Sequence, residues 1–285
     1  MKIVLVNSGL GNQMFQYAFY KSLENMHPEE KVVCDLGFFK KQKVHNGYEL
    51  KKIFNIDLKE SRLASIFLNS RNLFIRKSRK LSKKFLKQMY VVQDDIKYEE
   101  KILSDKSKKI FIGYWQSEKF FKNIEEIIRK DFKFPDFTES QNIELSKVLT
   151  SSNSVSIHVR RGDYLTHPIF NTLTENYYAK AIDKIKEKID NPLFIIFSND
   201  IEWCKNEFKE KNIIFVSWNN GEKSYRDMQL MSLCKHNIIP NSSFSWWGAW
   251  LNNNPNKIVI APKKWFSDES GYRYEDIIPD KWIKL

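Results

Sequence analysis

Three short stretches of the chain combine residue types that handle phosphate and sugar. One is Ile157-His158-Val159-Arg160-Arg161-Gly162-Asp163-Tyr164, at the end of an expected strand. The chain has nine arginines, and two of them are adjacent here. Side chains alternate along a strand, so His158 and Arg160 share one face and Arg161 takes the other. Arg160 can then point into a cleft, where its planar fork suits a diphosphate. Arg161 points away and can pair with a scaffold carboxylate. The competing explanation is a buried Arg–Asp pair beside a satisfied histidine. A second stretch, Ile238 to Leu251, runs from a strand into a helix rich in hydroxyls and aromatics. Ser242 and Ser243 fall at its N-cap, where hydroxyls and backbone N–H groups can hold a phosphate. Plain capping of an aromatic core helix explains the same residues. The third stretch, Asn7 to Ala18, joins a first strand to a helix. Gly9 and Gly11 allow a tight turn and close approach of a ligand. It lacks the dinucleotide glycine spacing and the P-loop lysine, so an ordinary strand-to-helix turn competes.

Two aspartates extend this set. Asp227 opens a helix, and its carboxylate can accept N1–H and N2–H of guanine. Asp200 ends the Phe197-Ser198-Asn199-Asp200 run. Each is equally a helix N-terminal acid that complements the helix dipole. The chain has no Asp-x-Asp, so a metal-held sugar nucleotide is not expected and no cofactor is implied. His-Glu-x-x-His and Gly-x-Ser-x-Gly are also missing.

The elements that must position these residues alternate. Expected strands are a first one from Lys2, then 31–35, 110–115, 155–160, 193–198, 213–217, 237–240 and 257–261. Helical patterns cover 118–132, 175–188 and 225–234. Such alternation argues for α/β architecture with parallel sheets. A length of 285 residues suggests two domains. The boundary is expected near 133–153, giving an N-terminal half, 1–150, and a C-terminal half, 151–285. In open α/β sheets ligands bind at the carboxyl ends of strands, so two halves facing each other make a substrate cleft.

The apolar content of 42% provides a core, and no window reaches the length of a membrane span. The opening apolar run is too short for a signal peptide. Cys34, Cys204 and Cys234 are odd in number and far apart. Reduced thiols in a cytoplasmic protein are the simpler expectation. The net charge is +12, but Ser61–Gln93 alone carries nine Lys/Arg and no acid, leaving +3 for the remainder. This segment is either a basic amphipathic helix docking on anionic lipid or a solvated helix packed by its apolar side.

Together the motifs resemble the α1,2-fucosyltransferases, glycosyltransferase family eleven. The resemblance rests on Gly11–Ala18 (Gly-Asn-Gln-Met-Phe-Gln-Tyr-Ala), Gly113–Phe121, His158–Tyr164 and Asn241–Trp247, in order along nearly the whole chain. It implies a GT-B-type fold of two Rossmann-like domains facing a cleft. It also implies metal-independent transfer with inversion of L-fucose from GDP-fucose to the 2-hydroxyl of a glycan, with galactose the expected acceptor sugar. By the same resemblance Arg160 holds the pyrophosphate, His158 and Asp227 contact guanosine, and Ser242 and Ser243 contact phosphates. Asn12 and Gln13 face the sugar and acceptor on the N-terminal side. The related pattern often has Asp-Asp where this chain has Asn199-Asp200, which bears on the guanosine contact assigned to Asp200.

The acceptor hydroxyl must lose a proton. Asp163, just after the arginine pair, is the first candidate base and His167 the second. A bacterial enzyme acting on surface polysaccharide or O-antigen, with a lipid-linked acceptor and a peripheral place at the inner membrane face, is the expected setting. An α1,6- or protein O-fucosyltransferase shares the arginine-centred motif. A nucleic-acid-binding protein is the alternative from another class. It needs basic and aromatic residues interleaved on one face, and here the basic cluster lies apart from Ser242–Trp250.

Overall fold

The computed structural model describes residues 1–41, 46–61, 90–93, 96–170, 173 and 176–285; the side chains of Lys41 and Asp163 fall outside that description. The chain divides into two compact units, Met1–Lys133 with Arg273–Ile277, and Phe134–Tyr272 with Ile278–Leu285. The division therefore falls after Lys133 and not near residue 150. Its cause is the helix Ser140–Ser151, which buries Leu145 and Leu149 in the core of the second unit. The short return at Arg273–Ile277 is tied into the first unit. Tyr98 N–H donates to Asp276 at 2.8 Å, and Lys119 pairs with the same carboxylate.

The first unit contains β1 (Lys2–Leu5), α1 (Leu10–Met26), β2 (Val32–Asp35), α2 (Gly37–Lys41), α3 (Leu50–Phe54), β3 (Tyr90–Val92), α4 (Glu100–Ser104), β4 (Ile110–Ile112) and α5 (Glu125–Asp131). Its sheet has the order β2-β1-β4-β3, all parallel. Met14, Phe15, Ala18, Phe19 and Leu23 bury one face of α1 at helical spacing. Phe19 stacks on Trp115 at 4.1 Å. The helix expected over 118–132 is broken into two 3₁₀ turns, Glu118–Phe120 and Lys122–Ile124, followed by α5. The break falls at Phe121, a buried residue whose φ of −132° leaves helical geometry between the two turns.

The second unit contains α6 (Ser140–Ser151), β5 (Ser154–Val159), α7 (Asp163–Thr166), α8 (Tyr177–Lys186), β6 (Leu193–Ser198), α9 (Ile201–Glu207), β7 (Ile213–Val216), α10 (Tyr225–Leu233), β8 (His236–Ile238), α11 (Ser243–Leu251), β9 (Val259–Ala261) and β10 (Ile283–Lys284). The sheet order is β10-β9-β8-β5-β6-β7. Numbered within the unit and read from the β7 edge, this is 3-2-1-4-5-6, the doubly wound Rossmann order. Helices cover both faces. Val155, Ile157, Phe194 and Ile196 pack with α8 and α9, while Ile195, Phe197 and Val216 pack with α6 and α10. Burial on both sides explains why these strands read as near-continuous apolar runs. The expected α/β class, with two Rossmann-like units, is thus present.

In the second sheet the strand order reverses between β5 and β8, whose following strands β6 and β9 lie on opposite sides. In open α/β sheets ligands bind beside such a point, at the carboxyl ends of the strands. The Asn7–Ala18 and Gly113–Phe121 motifs follow β1 and β4. The His158–Tyr164 and Asn241–Trp247 motifs lie at the ends of β5 and β8. Of the basic segment Ser61–Gln93, residues 62–89 lie outside the described residues. Among the described residues no helix is long and apolar enough to cross a membrane.

Candidate active site

In the second unit β5 and β8 run side by side, with Ile157 opposite Ile238. Their connections bring two motifs that are distant in sequence together. The His158 ring lies 5.8 Å from that of Phe244 in the first turn of α11. His158 is buried, and its Nδ1 has no hydrogen-bond partner. Burial, with a smaller contribution from the Arg160 charge, pushes this imidazole down to about 3, so it is neutral at physiological pH. A neutral ring with an unpaired nitrogen can exchange one hydrogen bond with a ligand.

Arg160 is half-buried, and its guanidinium carbon lies 5.4 Å from the centre of the Tyr164 ring. Tyr164 stacks on Phe170 at 4.9 Å, and Phe170 meets Phe266 at 5.8 Å. The arginine therefore sits on an aromatic base. Arg160 and Arg161 both lie just past the end of β5, and Arg161 makes different contacts. Its Nε donates to Asp200 Oδ2 at 3.1 Å, and its guanidinium stacks 4.0 Å from the Trp203 ring centre. Asp200 also caps α9 by accepting the Trp203 N–H at 3.3 Å. The carboxylate expected on guanosine is committed to the scaffold. Asn199 Oδ1 accepts the Arg161 N–H at 2.9 Å. A side chain on Gly162, at φ +61°, would meet Asn199 Nδ2 at 2.8 Å, so this turn admits only glycine.

Ser242 is buried at the N-cap of α11, and Ser243 is half-buried in its first turn. The Ser242 hydroxyl makes no capping bond, which leaves the first-turn N–H groups of a nine-residue helix for other acceptors. Asn241 braces the turn. Its Nδ2 donates to Phe170 O at 3.0 Å and Trp265 O at 2.9 Å. Asp227 stands in the first turn of the adjoining α10. Burial pushes its carboxyl up to about 7, against the effect of Asn219, whose Nδ2 donates to Oδ1 at 2.8 Å.

The two expected bases are placed less fully. Asp163 begins the short α7, and its side chain is outside the described residues. His167 is exposed, its ring 4.8 Å from Phe170.

The first unit differs. Gln13, expected to face sugar and acceptor, is instead fully buried. Its Nε2 donates to Ser8 O and Gly47 O, both at 2.8 Å, and its Oε1 accepts the Glu49 N–H at 2.9 Å. An amide locked on three backbone groups supports the loop from beneath. Asn12 remains half-exposed and accepts from Gln116 Nε2 at 2.7 Å, joining the β1 and β4 motifs. Sequence reasoning missed Gln16, which receives the Asn7 N–H at 2.9 Å and donates to Gly113 O at 3.0 Å. It also missed Arg226, buried next to Asp227 and bonded to Pro135 O and Asp136 O. No spacing signal finds such residues, because the backbone groups they hold are distant in sequence, Gly113 for Gln16 and Pro135 and Asp136 for Arg226. Among the described residues His27, Glu29 and Glu30 alone approach metal-ligand spacing. Glu30 is already shared by the Met1 amino group, Lys2 and Lys109.

Comparison with known proteins agrees with this geometry. The family described as Glycosyl transferase family 11 matches over residues 1–285. The Alpha-1,2-colitosyltransferase of Escherichia coli is 40% identical over 100% of this chain and 99% of its own length. The O-antigen biosynthesis glycosyltransferase WbnK of Escherichia coli is 32% identical over 98% and 99%. The crystal structure of NodZ alpha-1,6-fucosyltransferase co-crystallized with GDP superposes with a TM-score of 0.52 at 15% identity, covering 86% of this chain and 90% of that one. The last likeness is one of fold alone.

Proposed function

Because the chain belongs to glycosyl transferase family 11, we propose that it transfers L-fucose from GDP-fucose, with inversion, to the 2-hydroxyl of a galactosyl unit in a glycan. The observation that carries this reading is the Rossmann switch point, where His158, two residues before Arg160, meets Phe244 in the first turn of the uncapped α11. A crevice of this kind holds a nucleotide diphosphate.

Inversion is one displacement at the anomeric carbon. The acceptor oxygen forms its bond as the bond to the β-phosphate oxygen breaks, and GDP leaves with added negative charge. Arg160 and the first-turn N–H groups at Ser242 and Ser243 offset that charge. His158, neutral, hydrogen-bonds the nucleoside, and Asp227 accepts from the guanine edge. The acceptor proton passes to Asp163 or His167, with Asp163 preferred because only Gly162 separates it from the arginine pair. Asn12, half-exposed in the first turn of α1, is assigned to the acceptor side. The scheme places no metal at the diphosphate.

The 40% identical relative favours a second reading in which the donor sugar is colitose, which is fucose without its 3-hydroxyl. Similarity to WbnK supports an O-antigen acceptor. The basic segment Ser61–Gln93 is proposed to dock at the inner membrane surface near a lipid-linked acceptor. Neutralising Arg76, Arg79, Lys83 and Lys84 then abolishes sedimentation with anionic vesicles.

The deciding experiment gives the protein GDP-fucose and GDP-colitose with galactoside acceptors, with and without EDTA, and analyses product linkage by NMR. An α1,2-fucosyl product formed equally in EDTA is expected. Preference for GDP-colitose selects the second reading, an α1,6 linkage overturns the acceptor position, and loss of activity in EDTA overturns the metal-free scheme.

A further inference from the structure

Behind Asp227 lies a chain of buried polar groups whose direction is fixed. The Trp218 indole nitrogen only donates, and it lies 2.7 Å from the Asn142 side-chain amide. The Asn142 atom it meets must therefore be Oδ1. The other end of that amide, Nδ2, then faces Asn219 Oδ1 at 2.8 Å. This in turn makes the remaining Asn219 atom Nδ2. Its two hydrogens are both used, one on Asn142 Oδ1 at 3.1 Å and one on Asp227 Oδ1 at 2.8 Å. One donor-only ring thus settles the orientation of two amides that would otherwise be interchangeable. Asn142 is fully buried and Asn219 nearly so, so neither amide turns without losing bonds away from water.

We propose that Trp218, Asn142 and Asn219 form a positioning relay that presents a fixed N–H to Asp227 and so selects guanine over other bases. The proposal rests on the reading of Asp227 as the guanine acceptor. A donor aimed at the carboxylate favours its ionised form and holds its rotamer. An ionised carboxylate only accepts. The guanine edge offers it two donors, N1–H and N2–H. Adenine offers an acceptor at N1 and leaves the charge unpaired, which a buried site rejects strongly. The charged neighbours do not perform this task, since Arg226 and Lys223 both pair with Glu139, at 3.3 and 2.8 Å.

The test measures GDP and ADP affinity by calorimetry for the intact protein and for Trp218→Phe, Asn219→Ala, Asp227→Asn and the double variant Asn219→Ala/Asp227→Asn. Asp227→Asn is expected to weaken GDP by about tenfold or more, the usual effect of losing bonds to a charged group, with ADP unchanged. Asn219→Ala is expected to weaken GDP by a comparable factor alone and to add nothing in the Asp227→Asn background. Trp218→Phe, which keeps a ring but removes the N–H, weakens GDP less and spares ADP. Equal losses for GDP and ADP, or an Asn219→Ala effect of the same size in both backgrounds, mean a structural role and overturn the relay. If Asp227→Asn leaves GDP affinity intact, the guanine reading of Asp227 fails and the relay fails with it. If Asp227→Asn weakens GDP but Asn219→Ala does not, the relay alone fails.

Discussion

At the carboxyl ends of β1 and β4 in the first unit the polar side chains are spent on the chain itself. Gln13 and Gln16 tie Ser8, Gly47, Glu49, Asn7 and Gly113 together, and Asn12 is bridged to Gln116. The backbone is held under strain there, with Ser8 at φ 65° and Trp115 at φ 56°. At the switch point between β5 and β8 the strain falls on a glycine, and polar groups are left for other partners. The His158 Nδ1 is unpaired, α11 begins without a side-chain cap, and the Asp227 carboxyl is pushed up to about 7 by burial. Two parallel sheets thus carry a locked frame at the strand ends of one unit and, in the proposed reading, a ligand-facing surface at those of the other. A saturated polar network rigidifies. A buried polar group without a partner costs stability and persists where a ligand completes it.

The largest test of this contrast is Arg160→Ala. Transfer is expected to fall by about 10²–10³-fold, as for the loss of one group that stabilises transition-state charge. The thermal midpoint should stay close to that of the parent. Turnover kinetics and a circular-dichroism melt measure the two, and near-normal turnover removes Arg160 from the diphosphate. Gln16→Ala probes the locked side. It leaves the part-buried Asn7 N–H and Gly113 carbonyl without their partner and should cost about 1–3 kcal/mol of stability by denaturant titration. GDP affinity should hardly change. A collapse of GDP affinity without loss of stability would mean that the first unit is no mere frame.

The pH response sharpens the contrast further. Asp227 sits above the ordinary carboxylate range because burial disfavours its charge. Without ligand the folded chain holds this proton more tightly than the unfolded chain. This group's contribution to stability therefore declines as pH rises from the ordinary carboxylate range towards about 7. Guanine needs the charged form, so GDP affinity should run the other way. It should be flat well above that value and fall about tenfold per pH unit well below it. Calorimetric titrations across pH measure this, and a profile unchanged by Asp227→Asn would contradict the assignment.

Much of the second unit was legible because its strands are buried on both faces and stand out as apolar runs. Alternation separated the roles of Arg160 and Arg161; β5 ends one residue before them, yet Arg161 does pair with a scaffold carboxylate. The strands Tyr90–Val92 and Ile283–Lys284 escaped because they are short and lie at sheet edges. Gln13 was misjudged because a glutamine in a ligand-like loop reads the same whether its amide turns inward or outward. The Trp218, Asn142 and Asn219 set joins α6 to the loop after β7, and no periodicity links such residues before the chain folds.

The smallest expected effect concerns Asp200, where the contrast between scaffold and ligand-facing groups runs through a single turn. Its carboxylate is bonded to Arg161 and to the Trp203 N–H, and both partners of the ion pair keep some exposure to water. Screened pairs of this kind contribute roughly 0–1 kcal/mol. Asp200→Asn retains an oxygen for the α9 cap and loses only the charge. Stability should drop within that range, and GDP affinity should change by less than about twofold. The resemblance places Asp200 on guanosine, which instead requires a loss of GDP affinity comparable to that of Asp227→Asn. Measuring both variants side by side decides whether the Asn199-Asp200 turn touches the nucleotide or only holds Arg161 away from it.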